Sequence, residues 1–241
     1  MSDTKNSRLE VAQGSKILAM QGILDAFGHV SCRSPGRDDH FWISRNMPPA
    51  LVTPNDVVEV DLDGNAVTDP NIRLFLERFI HGEIYRVRPD VNAIVHSHAT
   101  AVLPFTLVPG ADIRPICHMC GFLDKVAAAF DVSKNAGRPT DLLISNRALG
   151  RAFAEHLSEN AVGLMKAHGF TAVGKDVPQA IYRAVYTVRN CEIELAARTL
   201  GTPGYLSSEE AGLCEETIGT QADRPWSLWL GQLEKQEAAH N

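Results

Sequence analysis

Two rhythms of apolar residues alternate along the chain. Spacing by three and four marks one face of a helix, whereas alternation or a short unbroken apolar run marks a strand. Residues 8–27 carry the helical rhythm in Leu9, Ile17, Leu18, Ile23 and Leu24, weakened by Gly14 and Gly22. Residues 71–87 carry it in Ile72, Leu76, Phe79, Ile80, Ile84 and Val87, and Pro89 stops that helix. A short helix is expected over 99–107, and another over 147–159, capped by Asn146 with Leu149, Phe153 and Leu157 on one face. The longest runs from Pro178, at home in a first turn, to Leu200, with Ile181, Val185, Val188 and Leu195 inward. Strand character falls on 40–44, 57–61, 91–96, 141–144, 161–166 and 170–173, and 113–119 looks extended. Asp63-Gly64 is a hairpin signal after the second of these. Strands outnumber tight strand–helix–strand units, so the expected fold class is α/β, with a largely antiparallel sheet flanked by helices. One domain over 1–241 is expected, its core at about 8–200 and its C-terminal helical tail at 201–241.

Composition narrows the partners. A hydrophobic fraction of 44% is ordinary for a globular core, and a formal charge of −6 argues against nucleic acid or an anionic membrane as partner. No apolar run approaches the ~18–20 residues of a membrane span. The polar start, MSDTKNSRLE, lacks the apolar segment of a signal peptide, and five cysteines make an odd count. Both features fit a reducing cytoplasm, and the expectation is a cytoplasmic enzyme acting on a small molecule.

The candidate chemistry centres on 91–100, VNAIVHSHAT. Side chains at i and i+2 of a strand share a face, so His96 and His98 present two imidazoles side by side. His168-Gly169 follows another apolar run, and Glu77 lies on the helix expected over 71–87. Three histidines supply the ligand number of a catalytic divalent site that keeps a position open, and imidazole suits zinc, manganese or iron alike. Gly169 would let backbone or substrate approach a ligand closely. Glu77 is the candidate acid/base. Each residue also has a bland reading: a histidine satisfied within the core, or a Glu77 solvated and paired with Arg73 or Arg78. Two imidazoles on one buried strand face need partners, which favours the metal reading. His81 reads as a packing or hydrogen-bonding residue. Cys117-His118-Met119-Cys120 has metal-like spacing, but no second pair completes a zinc ribbon; the cysteines read as buried thiols and His118 as a candidate substrate contact.

Glu77-x-x-x-His81-x-x-Ile84-Tyr85, then His96-x-His98, then His168-Gly169 resembles the class II aldolase/adducin family, and Gly28-His29-Val30-Ser31 resembles its Gly-Asn-Val-Ser opening. The resemblance runs over about 8–200. It implies a metal-dependent α/β/α sandwich assembled as a homotetramer or a higher homo-oligomer, with one divalent ion per subunit held by His96, His98 and His168 and with Glu77 as acid/base. Adducin-like members that lack the ligands are not enzymes. Sugar-phosphate aldolases of the family hold phosphate with an Asn in the opening motif, a Ser-Gly turn and a Ser pair before the glutamate. Here those places carry His29, Ser44-Arg45-Asn46 and Phe75-Leu76, which makes a phosphomonoester a poor fit.

The stretch Asp25 to Ser31, with Ser44-Arg45 and Pro49 to Val52, looks like the family's decarboxylase branch, which acts on hydroxylated aromatic or pyridine dicarboxylates. That resemblance implies a catabolic, metal-dependent carboxy-lyase whose small carboxylate substrate meets Arg45, His29, Ser44 and His118. Arginine's planar fork matches a carboxylate. Two alternatives stand beside it: an aldolase acting on a non-phosphorylated hydroxy acid, and a catalytically silent adducin-like scaffold.

Overall fold

The computed structural model describes residues 2–239, with side chains from Asn6 onward. Six strands form one sheet: β1 (His29–Ser34), β2 (Arg37–Ser44), β3 (Val57–Asp61), β4 (Ala93–Ser97), β5 (Val162–Met165) and β6 (Gly169–Gly174). Their order is β3-β2-β1-β4-β6-β5, and every neighbouring pair is antiparallel. Helices α1 (Ser2–Met20), α2 (Arg78–Val87), α3 (Leu103–Leu107), α4 (Val132–Ala136), α5 (Arg147–Leu157), α6 (Val177–Leu200), α7 (Ser208–Thr217) and α8 (Asp223–Ala239) complete the described chain.

Strand alternation builds the layers. Val30, Cys32, Ala93, Val95 and Ala172 pack with Val11, Leu18 and Ile181 of α1 and α6 on one face. Phe41, Ile43, Ile94 and Val173 pack with Ile80, Ile84 and Phe153 of α2 and α5 on the other. Each fully buried side chain of this size contributes about 1.5–3 kcal/mol of transfer free energy. The result is an α/β/α sandwich around an antiparallel sheet, as the sequence leads one to expect.

Several boundaries differ, each for a local reason. The first helix ends at Met20, not 27. Gly22 adopts φ +70°, and the amides of Gly22 and Ile23 fold back onto the carbonyls of Ala19 and Leu18. The helix expected over 71–87 begins only at Arg78. The backbone before it is claimed elsewhere: Asn46 N–H donates to the Arg73 carbonyl, and the Arg78 guanidinium donates to the carbonyls of Gly64 and Phe75. Glu77 is therefore the residue at which α2 starts, not one inside it. The helix expected over 99–107 is confined to α3, the stretch 113–119 pairs with no strand, and 141–144 is irregular, with Leu142 at φ +66°.

One end of the sheet gathers the chemistry. β1 begins at His29 where the antiparallel β2 ends at Ser44, β4 ends at Ser97, and β6 begins just after His168. His29 pairs with His96, and Met165 pairs with Gly169 across the hairpin that carries His168.

Candidate active site

His96 projects from the last turn of the β4 ladder toward the α2 face, and His98 follows one residue beyond the strand. Their Nε2 atoms lie 2.9 Å apart, and His168 Nε2 is 3.0 Å from that of His98. Glu77 Oε2 stands 3.4 Å from His96 Nε2, 3.3 Å from His168 Nε2 and 4.0 Å from His98 Nε2. The four donor atoms lie within 4.8 Å of one another, and Glu77, His96 and His168 are buried.

Backbone groups set the direction of each side chain. His96 Nδ1–H donates to the Phe170 carbonyl at 3.1 Å, and His168 Nδ1–H donates to the Leu142 carbonyl at 2.9 Å. A carbonyl can only accept, so both rings carry their proton on Nδ1 and aim the Nε2 lone pair inward. Ile144 N–H donates to Glu77 Oε1, which leaves Oε2 to face the imidazoles. The segment 141–144 thus spends on His168 and Glu77 the backbone groups that a strand would spend on a neighbour. Ala167, at φ +54°, turns the tip of the β5–β6 hairpin, and its amide is held by Thr106 Oγ1. A Cβ on Gly169 would collide with the Ser97 carbonyl oxygen, so the glycine lets His168 sit against β4.

The electrostatics suit a cation. Burial opposes ionisation of Glu77, but the imidazoles of His96 and His168 outweigh it and hold the carboxyl well below the usual carboxylate range. Burial likewise works against a charged His168, yet the adjacent Glu77 carboxylate raises its pKa. His98, desolvated and beside His96 and His168, is depressed to about 3. Three converging imidazole nitrogens and one buried carboxylate form a donor set that fits a divalent metal ion.

The remaining expected contacts divide. His29 is buried next to the cluster, its ring 5.1 Å from that of His96 and 4.6 Å from that of Phe75. Ser44 is buried at the end of β2, while Arg45 beside it is half-exposed and paired through Nε with Asp56 at 2.8 Å. His118 is solvent-exposed on a 3-10 turn and stands outside the convergent donors. Cys120 is buried and Cys117 only half so, and all five cysteines are free thiols. His81 is fully buried and hydrogen-bonded. Sequence reasoning missed the supports at Leu142, Ile144 and Phe170, because any residue type supplies a backbone group. Phe27, 66% exposed with its ring 6.4 Å from that of His98, adds an aromatic rim that only its neighbourhood to Gly28-His29 hinted at.

The profile of the Class II Aldolase and Adducin N-terminal domain matches residues 9–195. This chain belongs to that family. It is 38% identical to the decarboxylase tropJ of Talaromyces stipitatus, with 92% of this chain and 91% of that protein covered. It is 29% identical to the 3,4-dihydroxyphthalate decarboxylase of Arthrobacter keyseri, covering 74% of this chain and 73% of the relative. In fold it is similar to the L-fuculose 1-phosphate aldolase of Glaciozyma antarctica, at a TM-score of 0.78 and 22% identity, over 98% of this chain and 92% of that one. Decarboxylases and aldolases both break carbon–carbon bonds, and the chain stands with them as a carbon–carbon lyase. Among the described residues no helix is long and apolar enough to cross a membrane.

Proposed function

We propose that the protein is a metal-dependent decarboxylase of a hydroxylated aromatic or pyridine dicarboxylate, working in catabolism in the cytoplasm. The observation that carries this reading is the meeting of Glu77 Oε2 with three imidazoles, two of which, His96 and His168, are aimed by backbone carbonyls. The resemblance to decarboxylases at up to 38% identity supports the direction of the chemistry. The rim supports an aromatic substrate: Phe27 stands by His98, and Phe75 stands by His29 in the place where the family's sugar-phosphate aldolases carry a phosphate-binding Ser pair.

In this reading His96, His98 and His168 hold the ion, which is zinc, manganese or iron. When bound, it supplies Lewis acidity that stabilises negative charge growing on a substrate oxygen. Arg45 offers its free guanidinium nitrogens to a second carboxylate, and Ser44 and His29 border the same end of the sheet. Loss of carbon dioxide leaves an electron pair on the ring carbon, and a proton must replace the departing group. Glu77 delivers it from Oε2, the oxygen that Ile144 leaves free. A bound dicarboxylate adds negative charge beside Glu77 and favours its protonated form. General acid help of this kind is worth ~10²–10⁴-fold. The whole chain acts as one catalytic domain in this reading, and the exposed Leu200, Leu213 and Leu228 supply apolar surface for a homotetramer or larger assembly.

The test is carbon dioxide release from a panel of ortho-hydroxy aromatic and pyridine dicarboxylates by metal-analysed protein, with and without chelator. Chelator-sensitive release is expected. A carbonyl product without carbon dioxide would replace decarboxylation by aldol cleavage of a hydroxy acid. Protein that holds no metal and turns over nothing would indicate a scaffold.

A further inference from the structure

Behind His29 lies a buried chain of hydrogen bonds. His29 Nδ1 is 2.7 Å from His81 Nε2, His81 Nδ1 is 2.6 Å from Ser31 Oγ, and Ser31 Oγ is 2.8 Å from the Tyr85 hydroxyl. All four residues are buried, Tyr85 at 2% exposure. Ser31 and His29 alternate on the face of β1 that meets α2, and His81 and Tyr85 stand one turn apart on α2. The chain therefore runs from the core to the edge of the proposed metal centre.

Its polarity follows from counting donors. Among the described residues the Tyr85 hydroxyl has one hydrogen-bond partner, Ser31 Oγ. A buried phenol that kept its hydrogen unpaired would lose roughly 1–3 kcal/mol, so Tyr85 donates to Ser31. Ser31 then sends its own hydrogen to the other partner, His81 Nδ1. With Nδ1 accepting, the neutral His81 ring carries its proton on Nε2 and donates it to His29 Nδ1. With Nδ1 accepting in turn, His29 carries its proton on Nε2. The reverse order would leave Tyr85 with no acceptor, and a cationic ring at either histidine would break the sequence. Both rings are buried, His81 fully so, and a charge on either would have no counter-ion within the chain of hydrogen bonds.

We propose that His29 presents a fixed, uncharged Nε2–H donor to a carboxylate oxygen of the substrate, and that Ser31 and His81 are the positioning residues that fix it, with Tyr85 holding the Ser31 hydroxyl from the other side. The proposal rests on the decarboxylase reading only for the identity of the anion. It also gives a reason why His29, so near His96, stands outside the converging ligands: its own lone pair is turned inward, to His81. An asparagine at this place, as in the family's sugar-phosphate aldolases, could donate as well. An imidazole held by a buried histidine and serine does so with its direction set from the core.

Zinc-loaded protein labelled with nitrogen-15 histidine tests this directly. Long-range nitrogen–proton correlation spectra distinguish Nε2–H from Nδ1–H rings, and His29→Asn identifies the His29 signals by their loss. The expected wild-type result is a neutral Nε2–H ring. In Tyr85→Phe, Ser31 keeps His81 Nδ1 as its one acceptor, so His29 should remain Nε2–H while zinc content holds. Ser31→Ala removes the hydroxyl that sets the His81 tautomer, and His29 should then shift wholly or partly to Nδ1–H; should that variant fail to fold, the wild-type and Tyr85→Phe spectra still decide the matter. An Nδ1–H ring in the wild type or in Tyr85→Phe, or an Nε2–H ring untouched by Ser31→Ala, would overturn the proposal. For a carboxylate substrate identified by the carbon dioxide assay, Ser31→Ala should raise KM about tenfold with little change in kcat, the size of one lost hydrogen bond to a charged group, and Tyr85→Phe should leave KM near that of the parent. If no substrate is found, the decarboxylase reading fails while the tautomer measurement still decides this one.

Discussion

Four donor atoms of Glu77, His96, His98 and His168 converge within 4.8 Å, whereas Cys117, His118 and Cys120, whose spacing is just as metal-like, do not converge. There the imidazole is in solvent and the two sulfurs face each other at 3.2 Å. Local spacing is similar in the two stretches; support is not. The histidines come from the ends of paired strands, and carbonyls of Phe170 and Leu142 hold two of the rings in the tautomer that points a lone pair inward. The cysteines sit on a 3-10 turn and are satisfied by each other. Hydrogen bonding from Cys120 lowers the Cys117 thiol to about 6 despite partial burial, and the same bond, with burial, pushes Cys120 up. A seat for a cation thus needs donors that cannot satisfy one another.

The sharpest break of that contrast is to remove a converging ligand. His96→Ala or His98→Ala should abolish bound metal, read by elemental analysis, and with it essentially all turnover. Next in size, Glu77→Gln should lower kcat by about 10²–10⁴-fold while metal stays bound. Full activity in that variant would remove Glu77 from the role of acid. A smaller effect is expected at the support. Gly169→Ala forces a Cβ into the Ser97 carbonyl, and thermal or urea unfolding should show a loss of about 1–3 kcal/mol. Because His168 precedes that glycine, metal affinity should also weaken by about 10–100-fold, as for other disturbed supports of a ligand. Unchanged affinity would mean that the hairpin tip adapts and that Gly169 serves packing alone.

How much of this was legible depends on which atoms carry the information. His96 and His98 could be read from the period of a strand, and the layered fold from the alternation of Val30, Ile94 or Val95 between two cores. Glu77 was readable as a residue but not as a position. Ile72, Leu76 and Phe79 repeat at helical spacing, yet Asn46 and Arg78 take the backbone partners a helix would need. Leu142 and Ile144 read as a strand because their side chains are apolar, while their function lies in a carbonyl and an amide that every residue type possesses. His29 and His81, 52 residues apart, meet only through the pairing of β1 beneath α2.

The smallest expected effect is the most telling for the comparison. Cys117→Ser together with Cys120→Ser removes every thiol of the second metal-like stretch. If support, not spacing, makes the seat, metal content and turnover should both stay within about twofold of the parent, a change of ~0.4 kcal/mol that ordinary surface substitutions also produce. Stability should fall modestly, because Cys120 is buried beneath Tyr186, whose carbonyl oxygen lies 3.5 Å from its sulfur. The measurement is metal stoichiometry on the double variant beside His96→Ala. A drop confined to His96→Ala leaves one cation seat, built by the sheet. A drop in both would mean that the sulfur pair, though poorly supported within this chain, holds part of the metal, and that ligands outside the described residues complete it.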